Sequence, residues 1–377
     1  MASTSSGVPA PTTGPDAGAV WHFGDPLGEQ RSAADGAVVV DRSHRAVLTL
    51  SGADRRSWLH NLTTQHVSEL PDGAVTENLS LDGQGRVEDH WLQTQLDGLT
   101  VLDTEPWRGE PLLTYLRRMV FWADVTVEAA DLAVLSLLGP RLADTPVVEV
   151  FGVAGLPAPG IAVALADGGF LRRPPASGAG PQPGSGVEID LVVPSAQVPG
   201  WIDRLVAAGV RQAGVWAYEA HRVAARRPRL GVDTDERTIP HEVGWIGPAV
   251  HLDKGCYRGQ ETVARVHNLG KPPRMLVLLH LDVDGDRPVP GDPLQAAGRT
   301  VGRLGTVVDH VDEGVIALAL LKRALPADTA LTSGGEVTVT AAIDPDSMPA
   351  TDGVGAGRLA VERLRGGAPV SGPTRAP

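Results

Sequence analysis

The chain has 377 residues, 42% of them hydrophobic and 21% charged, enough for two or three domains and a sizeable core. Its formal net charge of −12 excludes broad attraction to nucleic acid or anionic membrane, though not a local basic site for one anionic ligand. Cys256 is the single cysteine, so no disulfide forms within the chain, and a lone thiol fits a reducing compartment. No apolar run approaches membrane-spanning length. A cytoplasmic protein with no membrane partner and no direct nucleic-acid partner is the expectation.

Residues 1–20, rich in Ser, Thr, Pro, Gly and Ala and without a secretory pattern, read as a disordered tail. Ala37 to Val40 and Ala46 to Leu50 predict short strands. Ser51 to Leu62 predicts a helix capped by Ser51 or Asp54, with Trp58, Leu59 and Leu62 on one face. Thr76 to Leu81 and Arg86 to Leu96 predict a hairpin around Asp82-Gly83-Gln84-Gly85, which Leu99 to Asp103 extends. Pro106 to Val120 has the spacing of an amphipathic helix. Strands are expected at Leu132 to Leu138, Ile161 to Leu165 and Glu188 to Val193, with a flexible low-complexity insert over 174–186. Pro199 to Ala208 and Ala213 to Ala225 predict helices. Hairpins and helices without regular alternation favour an α+β body, 21–271, over a doubly wound sheet. From 272 to 345 the pattern turns all-β, with strands at Met275 to Leu281, Arg299 to Val308, Val315 to Leu320, Ala330 to Thr332 and Val337 to Ile343. A small barrel is the reading there, and 346–377 resembles the first tail.

The densest chemical signal is residues 254–261, Lys254-Gly255-Cys256-Tyr257-Arg258-Gly259-Gln260-Glu261. Two glycines let the backbone approach a ligand. Lys254 and Arg258 place positive charge near the thiol, which stabilises thiolate. Gln260 to Asn268 predicts a helix whose N-terminus points at the same place, Tyr257 offers an aromatic face, and Gln260 and Glu261 offer donors and acceptors. Two readings of Cys256 stand side by side, a reactive thiol and a small buried hydrophobe.

This run resembles the K-G-C-Y-x-G-Q-E signature of the YgfZ/GcvT-like folate-binding proteins, with every fixed position present. Leu50 to Gln65, Asn78 to Leu92 and Arg222 to Glu242 resemble further segments of the family, so the likeness covers about residues 35 to 345. It implies a GcvT-like aminomethyltransferase body with a small C-terminal β-barrel, around a central channel for tetrahydrofolate or a derivative. In this branch it implies a folate-binding accessory protein that supports iron–sulfur cluster assembly or repair, with iron–sulfur client or assembly proteins as partners. The cousin branch implies an alternative, an aminomethyltransferase passing a one-carbon unit to tetrahydrofolate. A non-catalytic folate-binding module is the third reading.

Two positions depart from the family. Ala224 stands where the aminomethyltransferases carry a pterin-binding Glu, with Glu219 five residues earlier. In the hairpin, Asp89 matches one member of an acidic pair and His90 replaces the other. Asp89 is either a general base in the channel or a solvated hairpin carboxylate. Arg226, Arg227 and Arg229 are either a solvated run or a clamp for the carboxylates of folate. Trp245, beside Gly244 and Gly247, is a candidate to stack on a ligand, whereas Trp58 and Trp216 read as core. His241-Glu242 lacks the second half of a zincin motif, and one cysteine does not hold a cluster or zinc by itself.

Overall fold

The structure, a computed structural model, describes residues 7–176, 187–269 and 271–349. Most of the insert expected over 174–186, and the second tail from 350 on, lie outside them. Two larger sheets, a short two-stranded ribbon and a barrel carry the strands of the described residues. A five-stranded sheet runs 75–81, 87–96, 99–104, 46–51, 126–129 in spatial order. A six-stranded sheet runs 162–164, 170–172, 187–194, 132–139, 38–41, 211–213, and only its last pair is parallel. Strands 274–282, 314–322, 299–310, 293–296, 331–333 and 340–343 close into the C-terminal barrel. This is the expected α+β body followed by a small barrel.

Period-2 alternation assigns every strand residue to one of two faces. The outer face of the five-stranded sheet carries Leu48, Leu50, Trp91 and Leu102. It packs on the helices Arg55–Leu62 and Gly109–Arg118 through Leu59, Leu112 and Leu116. The outer face of the six-stranded sheet carries Leu135, Leu137, Ile189 and Leu191, covered by Thr145–Phe151 and Val198–Ala207. The inner faces meet through Val47, Val75, Val101, Val134 and Val192. Helix Val215–Ala224 lays Ala220 and Val223 on Leu278, Ile316 and Leu318 of the barrel.

Several expectations need correction. Residues 8–22 are not a loose tail: Val8–Pro9 pairs with Val20–His22, and Ala10, Asp16 and Ala19 are buried. Composition was blind to this because the hairpin is held by residues far along the chain, Arg229 and His44 on Asp16. The helix after Ser51 starts only at Arg55, and Asp54 stands at its N-cap without a side-chain capping bond, since its carboxylate accepts instead from the Asp124 N–H at 2.9 Å. The stretch from Pro106 opens as a 3-10 turn, Pro106–Arg108, before the α-helix. Helices Pro26–Asp35 and Thr145–Phe151 and strand Pro293–Ala296 carry no clean apolar period and were not expected. Asp346 and Ser347, placed in the second tail, belong to the 3-10 turn Pro345–Ser347, in which Asp344 accepts from the Asp346 N–H.

Candidate functional site

Along four inner strand faces the same change occurs. Val192 gives way to Asp190 and Glu188, Val101 to Asp103, Val75 to Glu77, and Leu92 to His90. The dry seam between the sheets therefore opens at one end into a cavity of about 110 Å³ lined by ionic groups. Arg42 and Arg45 enter it from the turn after strand Val38–Asp41. Glu219, Arg222, Arg227 and Arg229 come from helix Val215–Ala224 and the segment after it, and Val243, Gly244 and Trp245 form a wall.

Most of these charges are matched. Arg229 holds Glu105 at 3.0 Å and Asp16 at 2.9 Å, and Arg222 holds Glu219 at 2.6 Å and Asp233 at 2.7 Å. Arg172, fully buried, donates to Asp190 at 2.9 Å and to Asp103, which Arg45 also holds. Burial by itself would raise the carboxyl of Asp103, but Arg45 and Arg172 more than offset it and hold it well below the usual carboxylate range. Glu188 is likewise raised by burial and pulled far down by Arg227 and His221. Arg227 bonds Glu188 at 2.6 Å, while its Nε and Nη2, like Nη1 of Arg172, are buried without a hydrogen-bond partner among the described residues. Unmatched guanidinium donors at a cavity wall favour an anionic or carbonyl acceptor.

The opposite wall is aromatic. The rings of His90 and Trp245 stack, with centroids 4.6 Å apart and planes 13° apart. His90 Nε2 lies 2.9 Å from Glu77 Oε2. An ionised carboxylate only accepts, so Nε2 is the donor of this bond. The cavity thus offers a flat aromatic surface, an acceptor edge at Glu77 and a donor edge at Arg227. That set fits a planar heterocycle with both donors and acceptors, at about the size of a fused two-ring head rather than a whole drug-sized ligand.

Against the sequence expectations, Trp245 and Arg227 stand in the cavity. Arg226 does not; it turns away in a left-handed conformation, φ 54°, and its guanidinium donates to the Asp346 carbonyl. Arg229 lines the wall but is spent on its three carboxylates. Asp89 is on the opposite sheet face, buried between Ser80 Oγ at 2.7 Å and Arg108 Nε at 2.7 Å, so it is not in this cavity but at the wall of a second one, of about 850 Å³, which Glu88 and Arg258 also line. Neighbours on a strand point to opposite faces, and it is His90 that faces inward. Glu77, His90 and Glu188 were missed, although the placement of Trp91 in the core fixed His90 on the other face. Ala224 packs toward the barrel; of the cavity's carboxylates, Glu219 comes from the same helix and the others from other elements.

The cysteine motif lies on a loop beside this cavity rather than in it. Cys256 is exposed. Lys254 does not attend the thiol: its ammonium is buried and donates to the carbonyls of His60, Thr63 and Gln65, which end helix Arg55–Leu62. Burial pulls its pKa down to about 8, and the three carbonyl partners work in the opposite direction. Arg258 pairs with Glu88 at 2.9 Å on the surface. Tyr257 is buried in the cluster of Trp245, Val250 and Val263, and Gln260 Nε2 ties back to the Lys254 carbonyl at 3.2 Å. Glu261 is exposed at the start of helix Gln260–Leu269. So the motif's fixed residues mainly shape and pin the loop that presents Cys256. Among the described residues no cluster of His, Cys, Asp and Glu is arranged to hold a metal ion.

The helix after the loop rests on the turn Pro240–Glu242, with the His241 and His267 rings 6.1 Å apart. Burial first, and then His267, lower the pKa of His241 to about 4, and neither ring nitrogen has a partner among the described residues. The unfolded chain protonates this ring below about 6.5 and the folded chain resists, so stability is expected to fall as pH drops from 6.5 toward 4. Allowing for partial exposure, the loss is about 1–2 kcal/mol. Thermal melts from pH 7 to 4.5 measure it, and His241→Leu should flatten that slope.

The two sheets with an ionic, aromatic-walled cavity at the end of their seam, followed by a closed barrel, make an aminomethyltransferase-type fold. The structure of the glycine cleavage system aminomethyltransferase T from Bartonella henselae shares it, with a TM-score of 0.75 over 87% of this chain and 91% of that one at 17% identity. Residues 275–350 match the family described as CAF17, C-terminal beta-barrel domain. A putative chloroplastic transferase of Arabidopsis thaliana is 26% identical over 289 residues, 72% of this chain and 61% of that one. An aminomethyltransferase of Stenotrophomonas maltophilia is 28% identical over 250 residues, 62% of this chain and 64% of that one. The match therefore spans just under two thirds of the length of these relatives.

Proposed function

We propose that the protein binds a tetrahydrofolate-type ligand in the central cavity and supports iron–sulfur cluster assembly or repair in client proteins. The observation that carries the ligand reading is the pairing of the Trp245–His90 wall with the two unmatched donors of Arg227. A reduced pterin has a ring to stack and a polar edge to meet Glu77 and Arg227. The iron–sulfur role rests on the intact signature around Cys256 and on the exposure of that thiol. In this reading Cys256 works outside the cavity, toward a partner protein, and Lys254 and Tyr257 hold its loop in place.

Calorimetric titration with 5-formyltetrahydrofolate tests the ligand reading. Micromolar binding, weakened about tenfold or more by Arg227→Met, is the expected result. A correctly folded protein that takes up no reduced folate would overturn it. Unchanged iron–sulfur enzyme activity in cells carrying only Cys256→Ala would overturn the role of the thiol. A second reading, transfer of an aminomethyl group to tetrahydrofolate, is favoured by the relatives named aminomethyltransferase. Turnover of an aminomethylated lipoyl carrier by the purified protein would put it first.

A further inference from the structure

The cavity is small for what it is asked to hold. At about 110 Å³ it falls below the roughly 300–1,000 Å³ of sites that bury drug-sized ligands. One of its walls, Arg229, is shared with the N-terminal hairpin. On the far side of that guanidinium the carboxylate of Asp16 accepts from Arg229 at 2.9 Å and lies 3.0 Å from His44 Nε2. The Pro15 carbonyl accepts from Arg229 at 3.3 Å. His44 is itself buried, and its Nδ1 has no partner among the described residues. A carboxylate subsite made by Arg229 and His44 thus exists behind the cavity wall that Arg229 forms, and a residue of the same chain fills it.

The hairpin that supplies Asp16 is weakly held in other respects. Its strands are two and three residues long, and both residues of the first are exposed. A two-stranded ribbon of this kind has little stability of its own. Its apolar anchorage is Ala10, Ala19 and the contact of Trp21 with Trp216, ring centroids 5.2 Å apart. Removing Asp16 alone would leave His44 Nε2 without its acceptor and Arg229 with two carboxylates of three, whereas exchanging one carboxylate for another leaves both satisfied. Glu105 and Glu219 keep Arg229 in position throughout.

We propose that residues 8–22 are an autoinhibitory strap: Asp16 occupies the Arg229–His44 subsite in place of a ligand carboxylate, and a ligand bearing such a carboxylate opens the cavity by displacing it. The proposal rests on the reading of the cavity as the ligand site and adds how access to it is governed. The hydrogen bonds lost from Asp16 are regained by the incoming group, so the opening depends on the ligand's acidic tail and not on its ring.

Two measurements on the full chain test this. In the first, Asp16→Ala is titrated with 5-formyltetrahydrofolate and with 6-methyltetrahydropterin, which lacks the acidic tail. Binding of the first should tighten about tenfold over the wild type while binding of the second is unchanged. Equal effects on both, or none, would overturn the strap while leaving the ligand reading intact. In the second, hydrogen exchange of the wild type is followed with added glutarate against sodium chloride of matched ionic strength. Faster exchange confined to residues 8–22 supports the strap even if no pterin binds, and unchanged exchange there overturns it.

Discussion

Replacing Arg172 by leucine should lower folding stability by about 3–5 kcal/mol, a large share of what a domain has. Arg172 is fully buried at the end of strand Phe170–Arg172 and joins the two sheets, donating to Asp190 on its own sheet and to Asp103 on the other. Asp103 would retain Arg45, but among the described residues Asp190 would retain only the Ser136 hydroxyl at 2.6 Å. The loss reflects a buried carboxylate left without its cation, not the net worth of the pair. Urea titration should show a lower midpoint at unchanged slope. Adding Asp190→Asn to Arg172→Leu should recover much of the loss, since the stranded charge is then gone. A single-mutant loss below about 1 kcal/mol would mean that water reaches the pair. The sign of the pH dependence follows from the same geometry. The pairing holds Asp103 ionised far below its unfolded pKa, so its contribution is present above about pH 4 and is lost as pH falls further.

Lys254→Met should destabilise the protein by about 2–4 kcal/mol and loosen the loop that carries Cys256. The side chain keeps its length, but the carbonyls of His60, Thr63 and Gln65 lose the one ammonium they share. Helix Arg55–Leu62 ends there, and carbonyls at a buried helix end need a donor. Hydrogen exchange should rise in residues 60–66 and 251–258 together, because Lys254 is the strut between them. The rate of Cys256 alkylation separates two views of the lysine. A strut predicts that alkylation at fixed pH changes through loop mobility while its pH midpoint stays put. A lysine that tunes the thiol predicts a shifted midpoint.

The architecture was legible because strand and hairpin patterns depend on near neighbours. The turn Asp82 to Gly85, the alternation through residues 75–104 and the all-β run after Pro272 each specify local geometry that burial then reinforces. The hairpin was also enough to place His90 opposite to Asp89, had Trp91 been used to fix the buried face. The motif at 254–261 was equally plain, yet its meaning was not. Adjacent charges look like partners of the thiol in one dimension. In the fold, Lys254 is drawn to carbonyls almost 200 residues earlier, and Arg258 to Glu88.

What the sequence by itself determined is the α+β body, the barrel and the segment that presents Cys256. What only the tertiary structure decided is which charges meet. Three neighbouring arginines went to three different fates, Arg226 to the barrel's end, Arg227 to the cavity and Arg229 to a closed ion network. A stretch read as a loose tail became the source of Asp16, a carboxylate buried against Arg229. The physical reason is one of range. Backbone preference and hydrophobic period act within a turn or a strand, whereas a buried charge is stable only beside its counter-charge, and the chain brings that partner from anywhere along its length.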